Sequence, residues 1–110
     1  MEITHKQNGT VAIVSIFGRL DTATAPQLIE YLDALIGEGN TQLVVSLAGL
    51  DYTSSAGLRV LLRAVKATRD RGGDLKVAAV QQNVNKVFQI SGLTNFMQFY
   101  PNAAAAAASF

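Results

Sequence analysis

The sequence predicts one α/β domain in which helices cover a mixed, mostly parallel sheet. An Asn8-Gly9 pair lies between two strand-like segments, which predicts an antiparallel hairpin at the start of the chain. Strand-like and helical segments then alternate, and repeated β–α units place parallel strands side by side. The 110 residues, 49% of them hydrophobic, are enough for one core and too few for two. The predicted order over residues 1–110 is ββαβαβαβα, with no internal repeat or linker.

The hairpin is predicted from turn chemistry and from the distribution of apolar residues. Asn-Gly favours a type I′ turn because both central residues of that turn need positive φ. Residues 10–17 are apolar at both alternating sets of positions, which is typical of a central strand buried on both faces. Residues 3–6 are more polar, so we expect them to form an edge strand.

The first helix is predicted after a loop at residues 18–23. Thr24 and Gln27 match a capping box, Pro26 suits the first helical turn, and Gly37 marks the end. The apolar residues in between recur with a helical period: Ala25, Leu28, Ile29, Leu32, Leu35 and Ile36.

The rest of the chain repeats the strand–helix pattern. The predicted strands are 43–47, 75–80 and 97–100, and the predicted helices are 55–71, 83–90 and 103–108. Arg69 and Arg71, followed by Gly72-Gly73, are typical of a helix C-terminus. Asn102 is a candidate N-cap for the alanine-rich last helix. That helix is too short to be stable alone, and we expect it to dock through Phe110.

Composition argues against several classes of function. The net charge is +1 and no basic run is interleaved with aromatic residues, so nothing favours nucleic-acid binding. The chain has no cysteine, which excludes disulfides and thiolate zinc sites and fits a reducing cytoplasm. No cluster of metal ligands or nucleotide fingerprint is visible, so we expect no metal and no cofactor. With no visible signal peptide and no apolar run near ~20 residues, we expect a cytoplasmic monomer without membrane insertion.

Three hydroxyl residues, Thr53, Ser54 and Ser55, lie where a predicted strand gives way to a predicted helix. In one interpretation, Ser54 or Ser55 is an N-cap that contributes about 1 kcal/mol and nothing more. In the other, one of them is phosphorylated, which would place a charge of about −1.5 to −2 on a helix N-terminus. Position alone favours the cap, because capping is a common reason for serine at such a place.

The residues around these hydroxyls resemble a known family. Residues 52–62, Tyr-Thr-Ser-Ser-Ala-Gly-Leu-Arg-Val-Leu-Leu, closely resemble the signature of STAS domains, in particular of bacterial anti-sigma factor antagonists. The resemblance extends from the strand near Val11 to the alanine-rich end, and it implies a STAS-like fold. It also implies that Ser55, two residues before Gly57, is the phosphoacceptor. Many family members carry aspartate where this chain has Ser54, which leaves Ser54 as a second candidate.

A partner surface is predicted beside these serines. Asp21 and Ser55 follow neighbouring strands, and the loops at the carboxyl ends of parallel strands converge. The resemblance adds that the family's Gly-x-Leu-Asp loop, here residues 18–21, lies beside the phosphoserine and contacts the partner. The residues it implies for partner binding are Asp21, Thr22, Thr53, Ser54, Ser55, Ala56, Gly57 and Arg59. Asp21 is equally compatible with a turn or capping role, and Arg59 with a solvated helix face.

Nothing in the sequence provides the groups that an enzyme would need at Ser55. The only histidine, His5, lies on the predicted edge strand, remote in sequence from Ser55. No Gly-x-Ser-x-Gly elbow surrounds Ser55, and residue 58 is Leu where a Ser-x-x-Lys motif would need lysine. We therefore expect a binding protein and not an enzyme.

Two functions remain as predictions. In the first, the unphosphorylated chain binds a partner, which the resemblance implies is a serine kinase that also sequesters a sigma factor. Phosphorylation of Ser55 would end that complex, and a phosphatase would reset it. In the alternative, the chain is a STAS subunit of an ABC-type membrane transport assembly, where it binds the transporter ATPase and Ser55 is chiefly a cap. A small-molecule-binding module has the least support, because no polar cluster converges on an evident pocket.

Overall fold

A computed structural model describes all 110 residues as five strands, four helices and one 3-10 turn, in the predicted order. The strands are Glu2–Asn8 (β1), Val11–Leu20 (β2), Gln42–Thr53 (β3), Asp74–Ala78 (β4) and Gln98–Tyr100 (β5). The helices are Ala25–Gly37 (α1), Ser55–Arg69 (α2), Gln82–Ile90 (α3) and Ala103–Ala108 (α4), and the 3-10 turn is Thr94–Phe96.

The strands form one sheet in the order β1-β2-β3-β4-β5. β1 pairs antiparallel with β2, and the other neighbours pair parallel. The predicted mixed, mostly parallel sheet is therefore confirmed, with β1 at the edge and β2 inside. Each crossover between parallel strands contains a helix, and because β2 and β3 are parallel, their carboxyl ends lie at the same edge of the sheet.

The two faces of the sheet are covered unequally. On one face, residues of β2, β3 and β4 pack with α1, α2 and α3 in a core of 24 buried residues. On the other face, α4 covers a small cluster of 5 buried residues: Val11, Ile13, Val44, Ala78 and Ala106. Ala106 is thus the docking residue of α4. Phe110, for which docking was predicted, stays 37% exposed and lies against the Lys76 ammonium, 4.1 Å from its ring centroid.

The hairpin turn lies one residue later than predicted. Asn8 pairs with Val11, so the two turn residues are Gly9 and Thr10. Only Gly9 has positive φ, at +63°. This is the pattern of a type II′ turn, in which glycine comes first, and the predicted type I′ turn is wrong.

Several predicted boundaries of strands and helices were wrong. At these residues a strand continues or the backbone bends, and the sequence pattern did not indicate it. β2 and β3 run on through residues that were predicted as loop, since Gly18 pairs with Leu50 and Leu20 with Thr53. β4 ends at Ala78, two residues early, because Ala79 turns away with φ +57°. α2 ends at Arg69 and not at residue 71.

Candidate functional site

The carboxyl ends of β2 and β3 bring the two predicted loops together. Leu20 pairs with Thr53 in the last register position of the two strands. Immediately beyond it, the backbone N–H of Ser54 donates to the carbonyl of Leu20 at 3.0 Å. The Asp21 loop and the start of α2 are therefore neighbours joined through the backbone.

Gly57 allows α2 to begin directly against the end of β2. A Cβ atom added at Gly57 would lie 2.7 Å from Leu20 Cγ and 2.8 Å from the Leu20 carbonyl oxygen. The carbonyl belongs to the backbone and cannot rotate out of the way. The glycine before Leu58 is therefore required by close packing between helix and strand.

Ser54 is occupied as the N-cap of α2. Its backbone is extended, with φ −95° and ψ 163°, and its Oγ accepts a hydrogen bond from the Gly57 N–H at 3.1 Å. This bond satisfies one of the N–H groups that a helix start leaves unpaired. The capping interpretation therefore applies to Ser54.

Ser55 is the first residue of α2 and is exposed. Its Oγ accepts a hydrogen bond from the Ser91 hydroxyl at 3.1 Å and takes no part in capping. Ser91 follows α3 and lies 36 residues further along the chain. No local pattern in the sequence pointed to Ser91, because the contact exists only once α3 packs beside α2.

The other predicted partner residues fall into a solvent-exposed group and a buried group. Thr22, Ala56 and Arg59 are exposed and can reach a partner. Thr53 is only 2% exposed and Gly57 is buried, so the structure does not present these two to a partner. Instead, they help to fix the backbone conformation of the segment that contains Ser54 and Ser55.

Asp21 closes the turn before α1. Its Oδ1 accepts hydrogen bonds from the backbone N–H groups of Ala23 at 3.0 Å and of Thr24 at 3.1 Å. The Thr24 backbone N–H is the main cause that lowers the pKa of the Asp21 carboxyl below its usual value of 3.8. The carboxyl is therefore ionised at neutral pH, and the turn interpretation of Asp21 has a structural basis.

The predicted capping box at the start of α1 does not form. The Thr24 hydroxyl donates to the Arg19 carbonyl at 2.9 Å and accepts from the Asp21 N–H at 2.9 Å. Gln27 does not fold back on Thr24 but donates to the Met1 carbonyl at 3.3 Å. The first N–H groups of α1 donate to backbone carbonyls instead, that of Ala25 to Asp21 at 2.8 Å and that of Gln27 to Thr24 at 3.1 Å.

Apolar and aromatic side chains are exposed around the serines. Ile90, next to Ser91, is 85% exposed. On the open face of β2 and β3, Tyr52 is 40% exposed and the Arg19 guanidinium lies 4.1 Å from its ring centroid. Such exposed groups beside a polar site are typical of surfaces that bind another protein.

Two further features do not involve the predicted site residues. His5, the only histidine, lies on β1, where its Nδ1 hydrogen-bonds the hydroxyl of Tyr31, and burial raises the pKa of that tyrosine. A shallow cavity of about 280 Å³ lies near the ends of β4 and β5; its lining residues are Ala79, Val80, Asn85, Phe99, Tyr100 and Pro101. None of the predicted site residues lines it. No helix has both the length and the apolar character that crossing a membrane requires.

Comparison with protein families confirms the predicted STAS domain, because the STAS domain model matches residues 2–106. The chain belongs to the STAS domain family. Two named relatives show which members it is similar to. It is 36% identical over 110 residues to BtrV of Bordetella bronchiseptica, described as an anti-sigma factor antagonist, covering 100% of this chain and 95% of BtrV. It is 32% identical over 84 residues to an anti-sigma-B factor antagonist of Staphylococcus epidermidis, covering 76% and 78% of the two chains.

Solved structures share the fold of this STAS domain. The unphosphorylated form of the anti-sigma factor antagonist SpoIIAA superposes with a TM-score of 0.82 at 20% identity, over 98% of this chain and 96% of SpoIIAA. The phosphorylated form of Bacillus SpoIIAA superposes with a TM-score of 0.74 at 20% identity, over 99% and 100% of the two chains. The resemblance to anti-sigma factor antagonists is thus confirmed. The named relatives favour that function over the alternative of a transport-assembly subunit.

Proposed function

We propose that this STAS domain is a protein-binding switch that captures an anti-sigma factor serine kinase and is released when Ser55 is phosphorylated. The observation that supports this proposal most strongly is the division of roles between adjacent serines. Ser54 caps α2, so Ser55 remains exposed and its hydroxyl can be modified without removing the cap. Ser55 is therefore our first choice of acceptor and Ser54 our second.

The proposed binding surface consists of exposed and half-exposed groups at this edge. Asp21 contributes a negative charge and Arg59 a positive one, while Ile90 contributes apolar area next to Ser91. Both ion pairs in the chain involve other residues, Arg63 with Asp33 and Arg69 with Asp74, so the Arg59 charge is available to a partner. Apolar area together with charges of both signs suits a specific protein contact.

The chemistry assigns this chain the role of substrate. The Ser55 Oγ would form a bond to the γ-phosphorus of ATP, the bond from that phosphorus to the bridging oxygen would break, and ADP would leave. The hydroxyl proton would pass to a base on the kinase, because His5, the only histidine here, lies on β1 and hydrogen-bonds Tyr31 of α1 and not Ser55. The domain would be acted on and would not itself be an enzyme.

Phosphorylation would weaken the complex while leaving the fold intact. A phosphate adds a charge of about −1.5 to −2, which the N-terminus of α2 accommodates within this domain. At an interface shaped for a neutral hydroxyl, the same charge brings desolvation and repulsion, and the ionised Asp21 carboxylate lies on the adjacent loop. A coupling of about 2.8 kcal/mol is enough to weaken binding a hundredfold. A phosphatase would then remove the phosphate and restore binding.

Domain organisation, oligomeric state and cellular location are also part of the proposal. We infer that residues 1–110 act as one domain and as a monomer in the cytoplasm. The absence of cysteine and the single large core on one face of the sheet support this. Light scattering coupled to size exclusion is expected to give the mass of one chain.

The test is intact-mass and phosphopeptide analysis of the protein isolated from its own cell. We expect one phosphate on Ser55 in the wild type and none in a Ser55→Ala variant. Ser54→Ala is the matched control, since it removes the adjacent hydroxyl and should leave the phosphate in place. A phosphate on Ser54 would contradict the residue assignment. An unmodified protein in growth, starvation and stress would contradict the switch.

A further inference from the structure

Ser91 is the one side chain that hydrogen-bonds the proposed phosphoacceptor. Its hydroxyl donates to Ser55 Oγ at 3.1 Å across 36 residues of sequence. Ser91 is the C-cap of α3 and is partly exposed, while Ser55 is exposed. The bond therefore joins the end of one helix to the start of another at the surface.

The segment that carries Ser91 is held firmly to the strand that leads to Ser55. The Asn83 side-chain amide donates to the Asp51 carbonyl at 2.7 Å, and the Gln81 amide donates to the Ala48 carbonyl at 2.8 Å. Phe88 is fully buried, and its ring meets Phe99 edge-on with centroids 5.1 Å apart. A side chain on so well-anchored an element can define the position of its neighbour.

The hydroxyl of Ser91 is not needed to complete its own helix. The end of α3 is satisfied by backbone bonds from the Ser91 N–H to Val87 at 2.9 Å and from the Leu93 N–H to Phe88 at 3.1 Å. Gly92 adopts positive φ, at +71°, as helix ends of this kind require. The hydroxyl is therefore free to be used at Ser55.

We propose that Ser91 is a positioning residue for the phosphorylation of Ser55, because its hydroxyl holds the acceptor oxygen in one rotamer. This inference rests on the proposed function. The hydrogen bond uses one lone pair of Ser55 Oγ and leaves the other to form the bond to the γ-phosphorus of ATP. The proton of Ser55 remains available to the base of the kinase, and ADP leaves as above. Without Ser91, this exposed side chain would distribute over the staggered rotamers.

The first test measures phosphorylation with the full chain as substrate. Purified protein at increasing concentration is incubated with ATP and a clarified lysate of its own cell, and phosphate on Ser55 is followed by mass spectrometry. In Ser91→Ala we expect the maximal rate to fall about 3- to 10-fold, the range that one neutral hydrogen bond supplies, with less than about a twofold change in half-saturating concentration. Ser91→Thr keeps the hydroxyl and should restore the rate. Thr94→Ala removes a hydroxyl from the neighbouring 3-10 turn and should have no effect.

The second test needs no kinase. Proton couplings of the Ser55 side chain in the isolated protein should show one dominant rotamer in wild type and Ser91→Thr, and averaging in Ser91→Ala. Equal maximal rates in wild type and Ser91→Ala, a Ser91→Thr variant as slow as Ser91→Ala, or averaging already in the wild type would overturn the positioning role alone. A wild-type chain that acquires no phosphate on Ser55 would overturn the proposed function as well.

Discussion

The starts of α1 and α2 lie side by side at one edge of the sheet, yet the side chains that accept backbone N–H groups there differ in charge. Before α1, the carboxylate of Asp21 accepts from the N–H groups of Ala23 and Thr24. At α2, the neutral hydroxyl oxygen of Ser54 accepts from Gly57. Neither helix has an acidic residue in its first turn.

This difference shows that the charge before α1 is permanent, whereas a charge at the start of α2 would have to be added. The turn before α1 is closed by an ionised carboxylate, and that charge is permanent because Asp21 is part of the sequence. α2 has a cap without charge, so the favourable field at its N-terminus is available to the anion that the proposed phosphorylation would add on Ser55. A switch needs the second arrangement, because only an added charge can be removed again.

The largest expected effect comes from forcing the start of α2 away from the end of β2. In Gly57→Val, the new side chain would collide with the Leu20 carbonyl, which a Cβ atom alone would approach to 2.8 Å. We expect a loss of about 3 kcal/mol in the free energy of unfolding, measured by urea titration. The control is Gly37→Ala, at the end of α1, where an added Cβ atom has no neighbour within 4 Å. A Gly57→Val variant as stable as this control would contradict the close packing.

The second prediction separates the two serines by their effect on stability. Ser54→Ala removes the cap of α2 and should cost about 1 kcal/mol in the free energy of unfolding. Ser55→Ala changes an exposed residue outside the cap and should cost less than about 0.5 kcal/mol. Equal losses in the two variants would mean that the serines share the capping role.

The third prediction adds a permanent charge at α2. Ser55→Asp should raise the free energy of unfolding above that of the neutral Ser55→Asn control by about 0.5 kcal/mol at low salt, because the aspartate lies on a helix N-terminus. The gain should shrink in ~1 M salt, where charges are screened over about 3 Å. If the two variants are equally stable at low salt, the start of α2 does not favour an anion.

The smallest effect concerns Asp21 and depends on pH. Its folded pKa lies below 3.8, so the unfolded chain binds a proton first as the solution is acidified. The contribution of Asp21 to stability is complete well above pH 3.8 and is lost as pH falls through the folded pKa. Acid should therefore destabilise Asp21→Asn less than the wild type, in unfolding titrations from neutral to acid pH.

Glu38→Gln, an exposed carboxylate at the other end of α1, controls for the change in net charge. An acid response of Asp21→Asn equal to that of wild type would contradict the assigned role of the carboxylate.

Much of the fold could be predicted because its signals are local. The apolar period of α2 and the run of β-branched residues in β3 identify these elements without any knowledge of their neighbours. Asn102 was predicted as a cap from the residue type alone, and its Oδ1 does accept from the Ala105 N–H at 2.8 Å. The signature around Ser55 was also contained in one continuous segment, which is why the family could be predicted.

Predictions failed where the sequence was compatible with two alternative local structures. Thr24 with Gln27 and Asp21 with its own turn both offered a way to begin α1, and Gln27 instead bonds the carbonyl of Met1 on the neighbouring chain segment. Likewise, Asn8-Gly9 matched a type I′ turn, but the register of β1 against β2 places the turn one residue later, at Gly9 and Thr10. A distant contact selected between the alternatives in the first case, and the register of two neighbouring strands did so in the second.

The sequence by itself determined the order of the elements, the family, and the pair of serines at the start of α2. The tertiary structure alone decided which serine is the cap, that Leu20 packs against Gly57, and that Ser91 reaches Ser55. The physical reason is that the last two contacts join elements brought side by side by crossovers, so they arise from packing and leave no periodic or local trace in the chain.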